Sequence, residues 1–514
     1  MASMSQNFDL KNDFIKSPVY RAEKLSTGYA LTLSKKFIEP SNVFTQIKGI
    51  LNDSELAIMY FQVLIKYKIY PIIYEICERD LSSAEGGPDE TKEARQEDMD
   101  SRLLDAVCGL IPAGYKNEWL YKLVESSEKI RKATPKSFIK ETFFYLRQVF
   151  NATYMGGIPG SPGMIAVKYG EGLDLLKRSD IFWFKDSGIA PSDILIFFQF
   201  SDGAKFHINR QVISEIEKFG FRWVCLGKAF SDAGAPVWYP KRSYMETKIR
   251  NSSKSKLDKW IYIVGRRLIK DVSYWTSFIR EFNVKILFVK DERLPETIAQ
   301  NIAFEMTGDK GGFLCGHQRS ELSYPAGSLL GNHPKNILFT WSDRSRDYFN
   351  QSMDPLLANV ITGYSFDVIY KSASGDIKNR VDALRSGGAK IVVTLFDNVH
   401  GGLSNPISTP LIKEFYEVFL NWALEDKEAA IIVKSKKKLV FDNLRDVKEL
   451  IAEAERSGRC LVVEENKLPS EASRFSDFAI GIGISTSVTE SALAGCRGIH
   501  CDLTGLKSHH FYKW

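Results

Sequence analysis

Short apolar runs bounded by glycine or polar clusters recur along this chain and alternate with amphipathic stretches. Asp193–Phe200, Phe221–Leu226, Val284–Val289, Asn336–Trp341, Ala389–Phe396, Ala429–Val433, Cys460–Glu464 and Phe478–Ile484 are nearly continuous in apolar residues. Runs of that kind predict strands covered on both faces. Met164–Lys168, Gly311–Cys315, Phe366–Tyr370 and Arg497–Cys501 read as shorter strands. Between them, helical spacing marks Ile208–Phe219, Val272–Phe282, Glu296–Thr307, a stretch at 408–424 entered at Pro410, Leu444–Glu455 and Pro469–Phe475. Strand and helix alternating in this way predict α/β layering around parallel sheets.

Other stretches are less regular. Residues 1–40 are polar, with isolated aromatics at Phe8, Phe14, Tyr20 and Tyr29, and are expected to lie over a domain surface. Ser54–Lys68 reads as a helix. Ile69–Ile76 reads as a strand, placed at an edge by Pro71. Asp80–Asp100 is rich in Asp, Glu and Gly, and helical pattern then runs to about Val149, so an inserted helical block is expected near 80–150. Tyr154–Gly163 is a string of glycines and prolines that predicts turns; no Lys-Ser/Thr follows it, so it is not a P-loop. Asn379–Gly388 resembles a connector. The expected fold is therefore α/β, with two Rossmann-like domains. Residues 1–380, with the helical insertion, form the first, and residues 381–514 the second. The sequence stops soon after a strand, where such a domain continues with covering helices, so truncation or a larger protein is expected.

Composition narrows the function classes. With 44% hydrophobic and 26% charged residues among 514, the chain has the make-up of a folded globular protein. Its net charge of +6 is too mild, and too dispersed, for a dedicated nucleic-acid binder. It is compatible with an anionic substrate or with anionic lipid heads. Seven scattered cysteines make no CxxC pair and no zinc spacing, which fits reduced thiols and no metal site. The start has no apolar leader and no run approaches a membrane span of about 18 residues. A cytoplasmic protein is expected, with peripheral association at the inner face of the cytoplasmic membrane left open.

The chemistry concentrates near the end of the chain. The apolar run 478–484 passes into Ser485-Thr486-Ser487, which open a helix that closes at Gly495. A helix N-terminus at the carboxyl end of a parallel strand presents N–H groups to phosphates or carboxylates. The competing reading is that Ser485 or Ser487 only caps the helix. Upstream, Asp232 lies in a flexible segment after a strand, where an α/β enzyme places a catalytic carboxylate. Asp202, with His207, is the second choice, and each of these also fits a turn or cap aspartate. Gly316–Glu321 is a polar cluster at a strand end and a candidate pocket wall. The run Lys434–Lys438 reads as solvated surface.

The stretch 476–495 resembles the donor domain of two-Rossmann-domain (GT-B) glycosyltransferases that build bacterial capsule and lipopolysaccharide. It is similar to enzymes using CMP-linked 3-deoxy-octulosonate and to polyol-phosphate polymerases. In those families a strand ends in small hydroxyl residues and the helix carries an acid, matched here by Ser485, Thr486, Ser487 and Glu490. Their strand leading into Lys-Pro-His-Pro is matched only at Lys434, which Ser435 and Lys436 follow. Strands leading to Gln318-Arg319-Ser320 and Trp341-Ser342, and Gly363–Asp367, follow a looser family rhythm. The resemblance implies transfer of a sugar from a nucleotide-sugar donor to an oligosaccharide or lipid-linked glycan. It implies no tightly bound cofactor and, with no Asp-x-Asp cluster, no metal. Lys434, Arg319 and Ser485–Ser487 would meet the anionic donor, Glu490 would hold a ribose hydroxyl, and Asp232 would act as base or nucleophile. A nucleotide-sugar epimerase of the same architecture and a non-catalytic scaffold in a polysaccharide assembly complex are the alternatives.

Overall fold

The computed structural model describes residues 18–82, 163–175, 179–199, 210–226, 237–238, 256–290, 295–308, 311–321, 334–351, 356–367, 370, 375–398, 409–436, 441 and 444–501. The expected insertion near 80–150 and the turns at 154–162 lie outside these residues, apart from 80–82.

Thirteen strands are described, and they form two sheets in which every pairing is parallel. The first contains β1 (Met164–Lys168), β2 (Ile194–Gln199), β3 (Arg222–Leu226), β4 (Val237–Trp238), β5 (Val284–Phe288), β6 (Phe313–His317), β7 (Ile337–Thr340) and β8 (Ala358–Ile361), in the order β4-β3-β2-β1-β5-β6-β7-β8. The second contains β9 (Ile391–Phe396), β10 (Ala429–Lys434), β11 (Cys460–Val462), β12 (Phe478–Ile482) and β13 (Arg497–Cys501), in the order β11-β10-β9-β12-β13. Each sheet grows outward from its first strand and then switches to the other side. The switch points are β1/β5 and β9/β12.

The unbroken apolar runs follow from burial on both faces. In β9 and β10, Val393, Leu395, Ile431 and Val433 point into one core. It is completed by α9 (Thr409–Glu425) and α10 (Arg445–Arg456). Val392, Phe396, Ala430 and Ile432 point into the other core, with α8 (Gly375–Ser386), α11 (Pro469–Ser473) and α12 (Thr486–Leu493). The first sheet is covered in the same way. On one face lie α5 (Lys256–Glu281) and α6 (Pro295–Thr307); α4 (Arg210–Phe219) lies on the other, and α7 (Asp343–Phe349) packs against β7 and β8.

Several expectations are corrected. Of the polar wrapping expected over 1–40, the described part, residues 18–40, is helical instead. It forms α1 (Pro18–Leu33) and a π-helical turn at Ser34–Ile38, and leads into α2 (Asn42–Ile50). With α3 (Leu56–Ser82) these helices make an extra layer on α5 and α6. The expected strand at 69–76 is part of α3. Ile65, Ile69, Ile73 and Cys77 are buried at four-residue spacing, so one helix face carries them into the core. Between α1 and α3, Glu23 and Lys66 form an ion pair buried from solvent. The helix expected at Val272–Phe282 is the second half of a longer one, Lys256–Glu281. Among the described residues of the strand expected at Phe366–Tyr370, none is in a strand: the chain turns at 365–367, and β8 supplies the edge strand. The connector 379–388 lies largely within α8. Ile377, Val381 and Leu384 belong to the second core, so a boundary at 380/381 falls inside this helix.

Candidate functional site

The site is built from the carboxyl ends of both sheets. β12 ends in Gly481-Ile482-Gly483, and the glycines have distinct causes. A Cβ on Gly481 would lie 2.5 Å from Val488 Cγ2, so glycine lets α12 sit directly on the strand. Gly483 takes φ +67, the left-handed conformation that turns the chain into α12. Ser485 is the N-cap, and its Oγ accepts from the Ser487 amide at 3.2 Å. The Ser485 amide donates to His500 Nδ1 at 3.2 Å. Burial holds the His500 imidazole below its ordinary value.

The first domain reaches α12 at its start and along one face. The Glu321 amide, four residues past β6, donates to Thr486 Oγ1 at 2.9 Å. Thr489 Oγ1 donates to Glu321 Oε1 at 2.6 Å, and burial pushes the Glu321 carboxyl up. Tyr364, just past β8, donates its hydroxyl to the Glu490 carboxylate, which is buried completely. The carboxyl edges of the two sheets therefore meet at α12. Two Rossmann-like domains apposed in this way form the GT-B architecture.

No protein-family model matches the chain, and no curated protein matches it by sequence. Among solved structures it is similar to a Listeria monocytogenes protein titled as a UDP-N-acetylglucosamine 2-epimerase. Identity is 10%, the match covers 68% of this chain and 82% of that one, and the TM-score is 0.38. The S. aureus MnaA–UDP structure matches at 11% identity, 68% and 86% coverage and TM-score 0.36. A glycosyltransferase from Rickettsia africae matches at 10% identity, 60% and 72% coverage and TM-score 0.33. Likenesses of this size carry no weight on activity.

The β9/β12 switch point holds a second polar group. Asp397 follows β9 directly and is buried. Tyr416 of α9 donates to its Oδ2 at 3.0 Å, and the Lys436 amide donates to Oδ1 at 2.6 Å. Burial pushes the Asp397 carboxyl up, against the pull of these donors and of Lys434. Lys434 ends β10 with its ammonium turned inward. It donates to the carbonyls of Ser435 at 2.9 Å and Glu465 at 3.1 Å. Burial lowers its pKa, and Asp397 acts in the opposite direction. Ligands of open α/β sheets enter the crevice outside a switch point of this kind.

The β1/β5 switch point is equally polar. Asp180 Oδ2 accepts from three successive amides after β1: Gly170 at 2.7 Å, Glu171 at 2.8 Å and Gly172 at 3.1 Å. Glu171, Lys290 and Arg319 lie beside it. Beneath them His317, the last residue of β6, packs among Phe182, Phe288 and Phe366. Its Nδ1 lies 2.9 Å from the Gln318 carbonyl. Burial lowers its pKa to about 4.

Of the residues singled out from sequence, Ser485, Thr486, Ser487, Arg319 and Lys434 lie at or just past the carboxyl ends of strands of these two sheets, and Glu490 lies within α12. Thr486 and Glu490 bind the first domain, Ser485 caps its own helix, and Lys434 binds backbone carbonyls. Asp232, Asp202 and His207 lie outside the described residues. Sequence reasoning gave no role to Asp397, Glu171, Asp180 and Lys290, and Tyr364 was noted only as part of Gly363–Asp367. An aspartate directly after an apolar strand was the available signal for Asp397. Among the described residues, no group of three His, Cys, Asp or Glu side chains is placed to hold a metal ion.

Proposed function

We propose that this protein is a glycosyltransferase. It binds a nucleotide-activated sugar at the β9/β12 switch point and passes the sugar to an acceptor hydroxyl held by the first domain. The observation that carries this reading is the apposition of two parallel sheets by their carboxyl edges, each with a polar switch point at the seam. The α12 N-terminus and Lys434 supply positive potential on the donor side. Lys290 and Arg319 supply it on the acceptor side. Such groups meet the charge that develops on a departing nucleotide. A CMP-linked 3-deoxy-octulosonate donor follows from the resemblance at 478–490. A capsule or lipopolysaccharide glycan, met at the inner face of the cytoplasmic membrane, is the matching acceptor.

The test is calorimetric titration of CMP, UDP and GDP into the full chain, followed by product analysis with the corresponding nucleotide sugars. One nucleotide is expected to bind, and nucleotide release is expected to require a glycan acceptor. Conversion of the donor to a sugar epimer without acceptor moves the protein to the epimerase class. Absence of binding to all three nucleotides overturns the proposal and leaves the scaffold reading.

A further inference from the structure

The first-domain switch point also carries a carboxylate, Glu171, to which the glycosyltransferase reading gives no role. Glu171 Oε1 lies 3.7 Å from Lys290 Nζ and 3.7 Å from Arg319 Nε. A charge-assisted N–H···O bond is about 2.7–2.9 Å long. One carboxylate oxygen therefore stands between two cations without closing on either. The Glu171 and Lys290 side chains are each 14% exposed and Arg319 is 49% exposed, so the group borders solvent.

The surroundings hold this group in place. The Lys290 ammonium lies against Gly170, where a Cβ would come within 2.4 Å of Nζ and push this flexible end aside. Asp180 keeps Lys290 company at 3.9 Å, but its other oxygen is tied to three amides and cannot leave. Glu171 has no such anchor among the hydrogen bonds of its carboxylate. Arg319 stands two residues before Glu321, whose amide binds Thr486 in the first turn of α12. Arg319 thus lies on the first-domain side of the seam, and Lys290 is joined to it through Glu171.

We propose that Glu171 is an internal stand-in for the donor's phosphate: its carboxylate holds Lys290 and Arg319 until that phosphate takes them, and Glu171, once released, accepts the proton of the acceptor hydroxyl. This rests on the glycosyltransferase reading and adds a catalytic residue and a binding order to it. The step balances. The acceptor oxygen bonds to the anomeric carbon, and the bond from that carbon to the phosphate oxygen breaks. The electron pair leaves on the nucleotide, and the hydroxyl proton passes to Glu171. The donor binds first, because until it does the carboxylate is engaged with the two cations.

The inference has an uncommon sign. Glu171→Gln removes the competitor for the two cations, so nucleotide should bind more tightly, by about three- to tenfold for two part-exposed pairs. Transfer should fall by about 100-fold or more, as for loss of a general base, and Glu171→Asp should recover part of it. CMP, UDP and GDP are titrated into wild type and variant, and transfer is followed with the nucleotide sugar that wild type uses. Equal or weaker nucleotide affinity in Glu171→Gln overturns the proposal, as does wild-type transfer by that variant. Should Glu171→Gln fail to fold by circular dichroism, the Lys290→Met/Arg319→Met variant decides, and unchanged nucleotide affinity there overturns the proposal. If wild type binds nucleotide and transfers sugar but Glu171→Gln does not tighten binding, this inference alone fails. If wild type binds none of the three, both readings fall.

Discussion

Neutral His317 should make the stability of the fold depend on mild acid. In the unfolded chain its imidazole takes a proton near pH 6.5; in the fold, burial among Phe182, Phe288 and Phe366 delays this to about pH 4. The folded pKa is depressed, so the unfolded chain binds more protons in this window and stability rises with pH. The contribution is fully present above about pH 6.5 and is lost as pH falls towards 4. The gap corresponds to roughly 3 kcal/mol at about 1.4 kcal/mol per pH unit, of which about 2 kcal/mol is gone at pH 5. Urea unfolding followed by tryptophan emission at pH 7.5, 6 and 5 reads this directly. His317→Asn keeps a side-chain N–H for the Gln318 carbonyl and cannot titrate. Its stability should fall less than that of wild type over the same interval, by about 2 kcal/mol. Parallel pH profiles for the two proteins would refute the reasoning.

Three further outcomes follow from the packing. Tyr364→Phe leaves the buried Glu490 carboxylate without the hydroxyl that crosses between the domains. It should lower stability by about 1–3 kcal/mol in a thermal or urea melt, and a neutral result would show that the seam is not closed in solution. Gly481→Ala forces a methyl against Val488 and should destabilise by about 1–3 kcal/mol, with Val488→Ala restoring much of the loss; no rescue would mean that the strain lies elsewhere. Glu23→Gln removes the negative charge facing the buried Lys66 ammonium and should cost about 3–5 kcal/mol, whereas the double change Glu23→Leu/Lys66→Met should be close to neutral; denaturant midpoints separate the two.

The sequence by itself determined the parallel α/β class, most strands and the helix that begins at Ser485. Those features are local: a strand covered on both faces reads as a continuous apolar run, and a cap needs only a hydroxyl at the right place. In the N-terminal layer only the first half of α3 was legible, because α2 and α3 bury their apolar faces on α5 and α6, which come much later in the chain, and α1 packs on α3. Phe366 was read into a strand by its apolar neighbours, yet its ring belongs to the cage around His317. The same holds for the site. Ser485, Thr486, Ser487 and Glu490 were visible as a motif, but the first domain decides what Thr486 and Glu490 touch. Glu171, Lys290 and Arg319 lie on three separate segments, after β1, β5 and β6. Only the switch in strand order at β1/β5 brings them together, because hydrogen bonding between parallel strands sets which carboxyl ends are neighbours, and no local pattern records it.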